Sequence, residues 1–525
     1  MRYVNTTTLP EFVRWLEVKR PLGLSLTDSQ LAVGDDTGAS WGSLAANNES
    51  TLQVITAVAE SGRKAWSDWA SQVAVRLSRI HGLDIDSFTW LLDATTARNV
   101  VHPDDLSKDP RRKRAGAARE AVATARLMAA LTSEAVPLLR SAVLVSCHQE
   151  QLWRRRQLLG WRVDVQLLSD ELRTAEEGRR RMVQRLGIDL TSTRTQADKD
   201  VIHAWLATVG IFVKDFDGEP SLDRDDYDTT DVPGTAEAQA RWVTFRQVRS
   251  IASRISKLRE IRSALVGDRI FSTVSVRNAM TGRAAVIKPA LQNLNRDLRP
   301  LLIADPGFTL VALDYDQVEP RTAAGLSGDT ALLTALLASD VYAALARSIW
   351  GAAADDANGN VVPSRRAQAK SLLLGILYGE GKKMLARKLD ITIEEAAKLV
   401  AGVWGAYPDL AAYNKKIQKE MSAGQAELTT TGRIVPPPKR GEHAVLNNRT
   451  QAEAADIFYS GIARTIAIMG TEAAWLGVHD ELVVSVPTNR VEWARNALEC
   501  GMNTMFMGVP ITGVADALGP AWRKH

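Results

Sequence analysis

The chain has 525 residues, 45% of them hydrophobic and 24% charged, and a formal net charge of +4. This composition excludes disordered, fibrous and disulfide-stapled chains, and the length allows several domains with their own cores. There is no apolar signal segment at the start and no uncharged run near the roughly 20 residues that span a bilayer, and Cys147 and Cys500 form no disulfide or zinc spacing; the expectation is a soluble cytoplasmic protein in a reducing compartment.

Residues 1–140 mix short apolar runs with helical patterns. Pro21 to Leu26 reads as a strand, Leu31-Ala32-Val33 as its hairpin partner, and Arg119 to Leu131 as a helix. From 141 to 265 the pattern is mostly helical with Arg-rich faces, interrupted by a polar, acidic stretch (Asp215 to Gly234) that reads as a loop or small excursion. Strand-like segments over 266–340 lead into the apolar run Thr309 to Leu313 and then Asp314-Tyr315-Asp316-Gln317-Val318-Glu319-Pro320-Arg321. Residues 341–430 read as helical. Beyond 431 come a loop (Pro436-Pro437-Pro438), a long helix (Gln451 to Met469) and a hairpin whose two apolar arms flank His479-Asp480-Glu481. A near-neutral net charge does not announce nucleic acid, since cations can be gathered in one cleft.

Asp314 and Asp480 each follow an apolar strand-like run. Two carboxylates on adjacent rigid strands can hold two Mg²⁺ ions about 4 Å apart, the arrangement that activates an attacking hydroxyl and neutralises a triphosphate. Glu481 is a further metal candidate, while Asp316 reads as a solvated side chain. Arg366, Lys370, Leu374 and Tyr378 are spaced by four, so a helix carries them along one face, where cations can grip a triphosphate and the following turns can pack on base and sugar.

The order, flanks and spacing of these three segments resemble family A DNA polymerases, specifically over about 280–525 and only in general terms over 141–279. The resemblance implies an α+β, multidomain right-hand architecture: an exonuclease-like domain over 1–140, a thumb over 141–265, a palm over 266–340 and 431–525, and fingers over 341–430. It implies DNA-templated addition of dNTPs to a primer 3′ end, with two Mg²⁺ ions (Mn²⁺ can substitute) held by Asp314, Asp480 and the Tyr315 backbone carbonyl. Arg366 and Lys370 would contact the triphosphate, Lys370 also as proton donor to pyrophosphate. Tyr378 would lie beside the templating position, Leu374 and Gln317 would line the nucleotide pocket, and Glu319 would close it under the sugar C2′ and exclude ribonucleotides. Leu374 stands where the family has Phe or Tyr, and Pro320 replaces a usual Leu.

Thr281-Gly282-Arg283 followed by Leu291-Gln292-Asn293 resembles a family segment that reaches the primer end through the minor groove, where contacts check shape rather than sequence. Asn447 and Gln451 match a second minor-groove pair, and His479 matches the residue that touches the primer's terminal phosphate. Ala284-Ala285-Val286 and His443 depart from the family pattern. The expected partners are primer-template DNA and dNTPs, with no membrane. No Asp-x-Glu occurs in 1–140, and Leu24-Ser25-Leu26-Thr27 occupies the strand that should carry it, so the first domain reads as an inactive exonuclease. Alternatives are a single-subunit RNA polymerase, disfavoured by Gln317-x-Glu319, and a catalytically silent DNA-binding replisome protein, disfavoured by the intact Asp314, Asp480, Arg366 and Lys370. Compact form and Ala/Arg/Val-rich usage suggest a phage replicative enzyme.

Overall fold

The computed structural model describes residues 151–523 except 154–155, 194, 215–217, 228–229, 276–278, 339, 424, 426, 439–443 and 471–473. Before them it describes 2–3, 9–17, 22–26, 31–35, 37, 39–43, 49–61, 65–67 and 91–93. The expected helix over 119–131, Cys147 and His443 lie outside the described residues.

The N-terminal part is a six-stranded mixed sheet. Its strand Leu22–Leu26 pairs antiparallel with Leu31–Asp35, as the hairpin reading expects, and parallel with Ala65–Ser67. A small core of Phe12, Leu16, Trp41, Val54 and Val58 packs against it.

Two long helices follow. α1 (Val165–Leu186) starts where the Asp164 carboxylate accepts the Leu167 N–H at 2.9 Å and stops at Gly187 with φ 66°. α2 (Ala236–Ser263) is capped by Thr235. These are the ordinary chemistries of an N-cap hydroxyl or carboxylate and a left-handed C-terminal glycine. The stretch expected as a loop or small excursion (Asp215 to Gly234) packs on α2 through Leu222 and Tyr227, next to the preceding Ile211 and Val213. Ile211, Val213 and Leu222 are buried with Trp242 and Phe245 of α2, and Tyr227 stacks edge-on against both rings.

The centre is a four-stranded antiparallel sheet. β1 (Phe308–Asp314) lies in its middle, next to β3 (Glu481–Pro487) and β4 (Ala515–Gly519), with β2 (Ala474–Val478) outside β3. β1 is apolar at nearly every position because both faces are covered, which is why it reads as a continuous run rather than an alternation. Its Leu310 to Leu313 pack with Ile457, Phe458 and Ile462 of α6 (Val445–Met469) and with Leu498 and Met502 of α7 (Val491–Met502). These residues belong to the largest core among the described residues.

Between the sheet's sequence halves lies a helical lobe: α3 (Val318–Ser327), α4 (Val341–Trp350) and α5 (Pro363–Leu377), followed by further helices to Ser422. Ala323, Leu332, Leu345, Leu372, Leu373 and Leu410 form its separate core. Among the described residues no helix is long and apolar enough to cross a membrane.

Candidate active site

β1 and the turn of the β2–β3 hairpin deliver the two carboxylates. The register of β1 and β3 pairs Asp314 with Glu481, and the Tyr315 N–H donates to the Asp480 carbonyl at 3.3 Å. Asp480 is in the two-residue turn that joins β2 to β3. His479, the first turn residue, has φ 58°, a position that tight hairpins usually give to glycine. From the other side Gly513 presses on Asp314: a Cβ there would sit 2.3 Å from the Asp314 carbonyl oxygen. Asn503 fixes this contact, accepting from the Gly513 N–H at 2.8 Å and donating to its carbonyl at 3.1 Å.

Asp480 is pushed up to about 7, first by burial and then by the charge of Asp314. Two hard-oxygen donors that repel one another in a shielded place suit a hard divalent cation, which would take both in their ionised form. Among the described residues no group of three His, Cys, Asp or Glu gathers in metal-binding fashion. Glu481 is engaged by other partners. It is 3% exposed, and its carboxylate accepts from the Arg299 guanidinium at 3.2 Å and from the Trp522 indole N–H at 3.4 Å. Asp316 is exposed.

Beside the pair is a second group. Glu319 is 8% exposed and accepts from Arg283 at 2.5 Å. Tyr378 lies near Glu319; burial first and then the Glu319 charge raise that phenol's pKa. His479 is lowered by desolvation and by Arg283 and Arg299, against the opposing charges of Asp314 and Glu319. The mutual fields of Asp314, Asp480, Glu319, Arg283, His479 and Tyr378 make them one contiguous site. Gln317 begins α3 at φ 53° with its side-chain oxygen buried and unpartnered.

α5 carries Arg366, Lys370 and Leu374 on its solvent side, with Ala369, Leu372, Leu373 and Ile376 buried beneath. Tyr378 is the residue after the helix rather than its last turn. Gly379 at φ 70° ends the helix there, as a left-handed glycine does. Arg366 pairs with Asp340, and Arg366 and Lys370 lie 5.5 and 5.6 Å from the Tyr342 ring centroid.

Gln292 spends its side-chain oxygen on the Val286 N–H at 3.1 Å, and exposed Asn293 gives its carbonyl to Lys257. Gln451 donates to Asn447 at 2.8 Å, and the helix that bears them begins at Val445, six residues before the expected start. Behind α1 and α2, Arg179, Arg249, Lys257 and Arg259 line a groove of about 670 Å³ with Thr191, Ser192 and Ser256.

Sequence reasoning missed the residues that hold this site in place. Arg433 is 1% exposed; it pairs with Asp456 at 3.3 Å and donates to the carbonyls of Thr281 and Ala452, tying the Arg283 segment to α6. Asp340, Tyr342 and Arg299 were missed likewise. No spacing marks such partners, because each is distant in sequence from the residue it supports.

The family model for DNA polymerase family A matches residues 225–524. The chain belongs to DNA polymerase family A. A DNA polymerase of Mycobacterium phage D29 is 29% identical over 232 residues, 43% of this chain and 37% of the phage protein. DNA polymerase I of Chloroflexus aurantiacus is 28% identical over 303 residues, 53% of this chain and 32% of that protein. The thermostable DNA polymerase I of Thermus aquaticus is 30% identical over 262 residues, 46% of this chain and 31% of that protein. The matched part thus spans about a third of the length of these family A relatives. The fold is that of the POL domain of M. smegmatis Pol1, solved in complex with DNA primer-template and dNTP: TM-score 0.79, 20% identity, and 99% of each chain covered.

Proposed function

We propose that this family A member is a DNA-templated DNA polymerase that transfers the nucleotidyl group of a dNTP to a primer 3′ hydroxyl. The observation that carries the reading is the joining of Asp314 and Asp480 with Glu319, Arg283 and Tyr378 in one site at the end of the helix that bears Arg366 and Lys370. The proposed right-hand arrangement has the thumb over 141–265, palm over 266–340 and 431–525, fingers over 341–430, and an inactive exonuclease-like domain over 1–140.

Asp314, Asp480 and the Tyr315 carbonyl are the proposed ligands of two Mg²⁺ ions, for which Mn²⁺ can substitute; Glu481 stays outside the set because Arg299 and Trp522 engage its carboxylate. When bound, such ions activate the 3′ hydroxyl and neutralise charge on the triphosphate. Arg366 and Lys370 grip the phosphates, Lys370 giving a proton to the departing pyrophosphate. Glu319, with Gln317 and Leu374, lines the sugar side of the pocket. Tyr378 flanks the templating position, and Arg283, Gln292, Asn293, Asn447, Gln451 and His479 bind the primer-template. The basic groove behind α1 and α2 suits the phosphates of the upstream duplex. The buried Glu319 carboxylate disfavours a 2′-hydroxyl and so an RNA polymerase.

Primer extension with Mg²⁺ tests this. Asp314→Asn and Asp480→Asn are expected to slow single-turnover dNTP incorporation by roughly 10³-fold while primer-template binding persists. Extension near the wild-type rate by either variant overturns the site assignment.

A further inference from the structure

Arg366 is held by both a carboxylate and an aromatic ring. Its Nε donates to Asp340 Oδ2, and its guanidinium lies over the Tyr342 ring. No other partner holds it among the described residues, so both Nη groups are left over. Asp340 is itself immobilised: it caps α4, its Oδ1 accepting the N–H groups of Tyr342 at 3.0 Å and Ala343 at 3.1 Å. Tyr342 is 7% exposed, and the same ring lies under Lys370. The first turn of α4 therefore forms a rigid seat beneath both cations that α5 presents.

We propose that Asp340 is a positioning residue: it fixes Arg366 by the Nε edge so that the Nη fork is set in advance for phosphate oxygens of the incoming nucleotide. This deepens the polymerase reading and rests on it. Two effects of Asp340 oppose one another. Its charge offsets part of the attraction of Arg366 for an anion, while its contact removes rotamer freedom that Arg366 would otherwise lose on binding. The Arg366 side chain is 46% exposed and that of Asp340 28% exposed, so solvent and salt screen the charge effect, whereas the geometric effect is unscreened. A planar fork that meets two oxygens at once also gains more from orientation than a point charge does. Positioning therefore outweighs neutralisation.

The bland alternative is that Asp340 only caps α4. Asp340→Asn separates the two, because asparagine caps a helix about as well as aspartate but lacks the charge that holds a guanidinium. The experiment is a double-mutant cycle of Asp340→Asn and Arg366→Ala, read by equilibrium titration of dGTP into the protein bound to a 3′-dideoxy primer-template, with inorganic triphosphate as a second probe. Asp340→Asn is expected to weaken dGTP binding about fivefold in the wild-type background and to have no effect in the Arg366→Ala background. In steady-state extension the same variant is expected to raise KM for dNTP with kcat little changed. An equal loss in both backgrounds would reduce Asp340 to a helix cap. Tighter binding by Asp340→Asn would make it a competitor for Arg366, and either result overturns the proposal. Because the titration needs no turnover, a wild-type protein that binds dGTP but extends no primer sinks the polymerase reading while the cycle still scores Asp340. A wild-type protein that binds neither probe sinks both.

Discussion

Asp480 is uncomfortable as a carboxylate. Its folded-state pKa of about 7 lies above the value of about 4 expected in an unfolded chain. Between those limits the folded protein holds a proton that the unfolded chain has released, so stability is greatest at the acid end and declines as pH rises to about 7. Thermal unfolding in EDTA is expected to show this decline across pH 4–7, with Asp480→Asn flattening it and added Mg²⁺ opposing it. A wild-type profile with the same slope as Asp480→Asn would mean that the two carboxylates do not share a shielded space. At this scale the sequence was informative. Asp314 and Asp480 stood beside apolar runs; Asp314 is the last residue of β1, and Asp480 falls in the turn between the two runs that form β2 and β3. The contacts of Glu481 with Arg299 and Trp522 were not legible, because both partners are distant from it in sequence and no spacing links them to it.

Among the elements, α5 and the β2–β3 hairpin follow directly from periodicity and from apolar runs. The hairpin of Glu427–Leu428 with Ile434–Val435 does not, since its strands are only two residues each. Buried charge holds it to α6 instead. Glu453 accepts from the Thr430 N–H, Thr431 donates to Asp456 at 2.6 Å, and Arg433 and Arg449 supply the opposite charge. Such a network is weak evidence of net stability, yet removing one member leaves its partner ionised in a low dielectric. Arg433→Met is expected to cost about 3–5 kcal/mol in chemical denaturation, through the stranded Asp456 carboxylate. Pairing it with Asp456→Leu is expected to recover much of that loss. A single variant as stable as wild type would show that Asp456 finds another partner. The network also fixes the Arg283 segment: Gly282 has φ 81°, and a Cβ there would meet the Arg433 guanidinium at 2.5 Å.

For the whole molecule the clearest expectation concerns removal of mismatched primer ends. In the N-terminal sheet Ser25 is 4% exposed on the strand where the family would place its metal-binding acids. The nearby Asp35 is engaged: its Oδ1 accepts from the Thr37 N–H at 3.0 Å, the Thr37 hydroxyl at 2.6 Å and the Ala39 N–H at 3.2 Å. A mismatched primer incubated with Mg²⁺ and no nucleotide is expected to keep its length. Steady shortening that persists in Asp314→Asn would show a second metal site in this domain.

The placement of Glu319 bears on when a wrong sugar is refused. Arg283, from a segment well before it in sequence, holds its carboxylate, so the protein's own contacts fix its position. A sieve that stands ready need not wait for the helical lobe to move. On the polymerase reading, ribonucleotides should be turned away at the encounter, at the entrance rather than at the chemical step. Single-turnover kinetics would then show the preference for deoxyribose mainly in apparent affinity and little in the maximal rate, and Glu319→Ala would erase it there. A preference confined to the maximal rate would instead place the decision after closure.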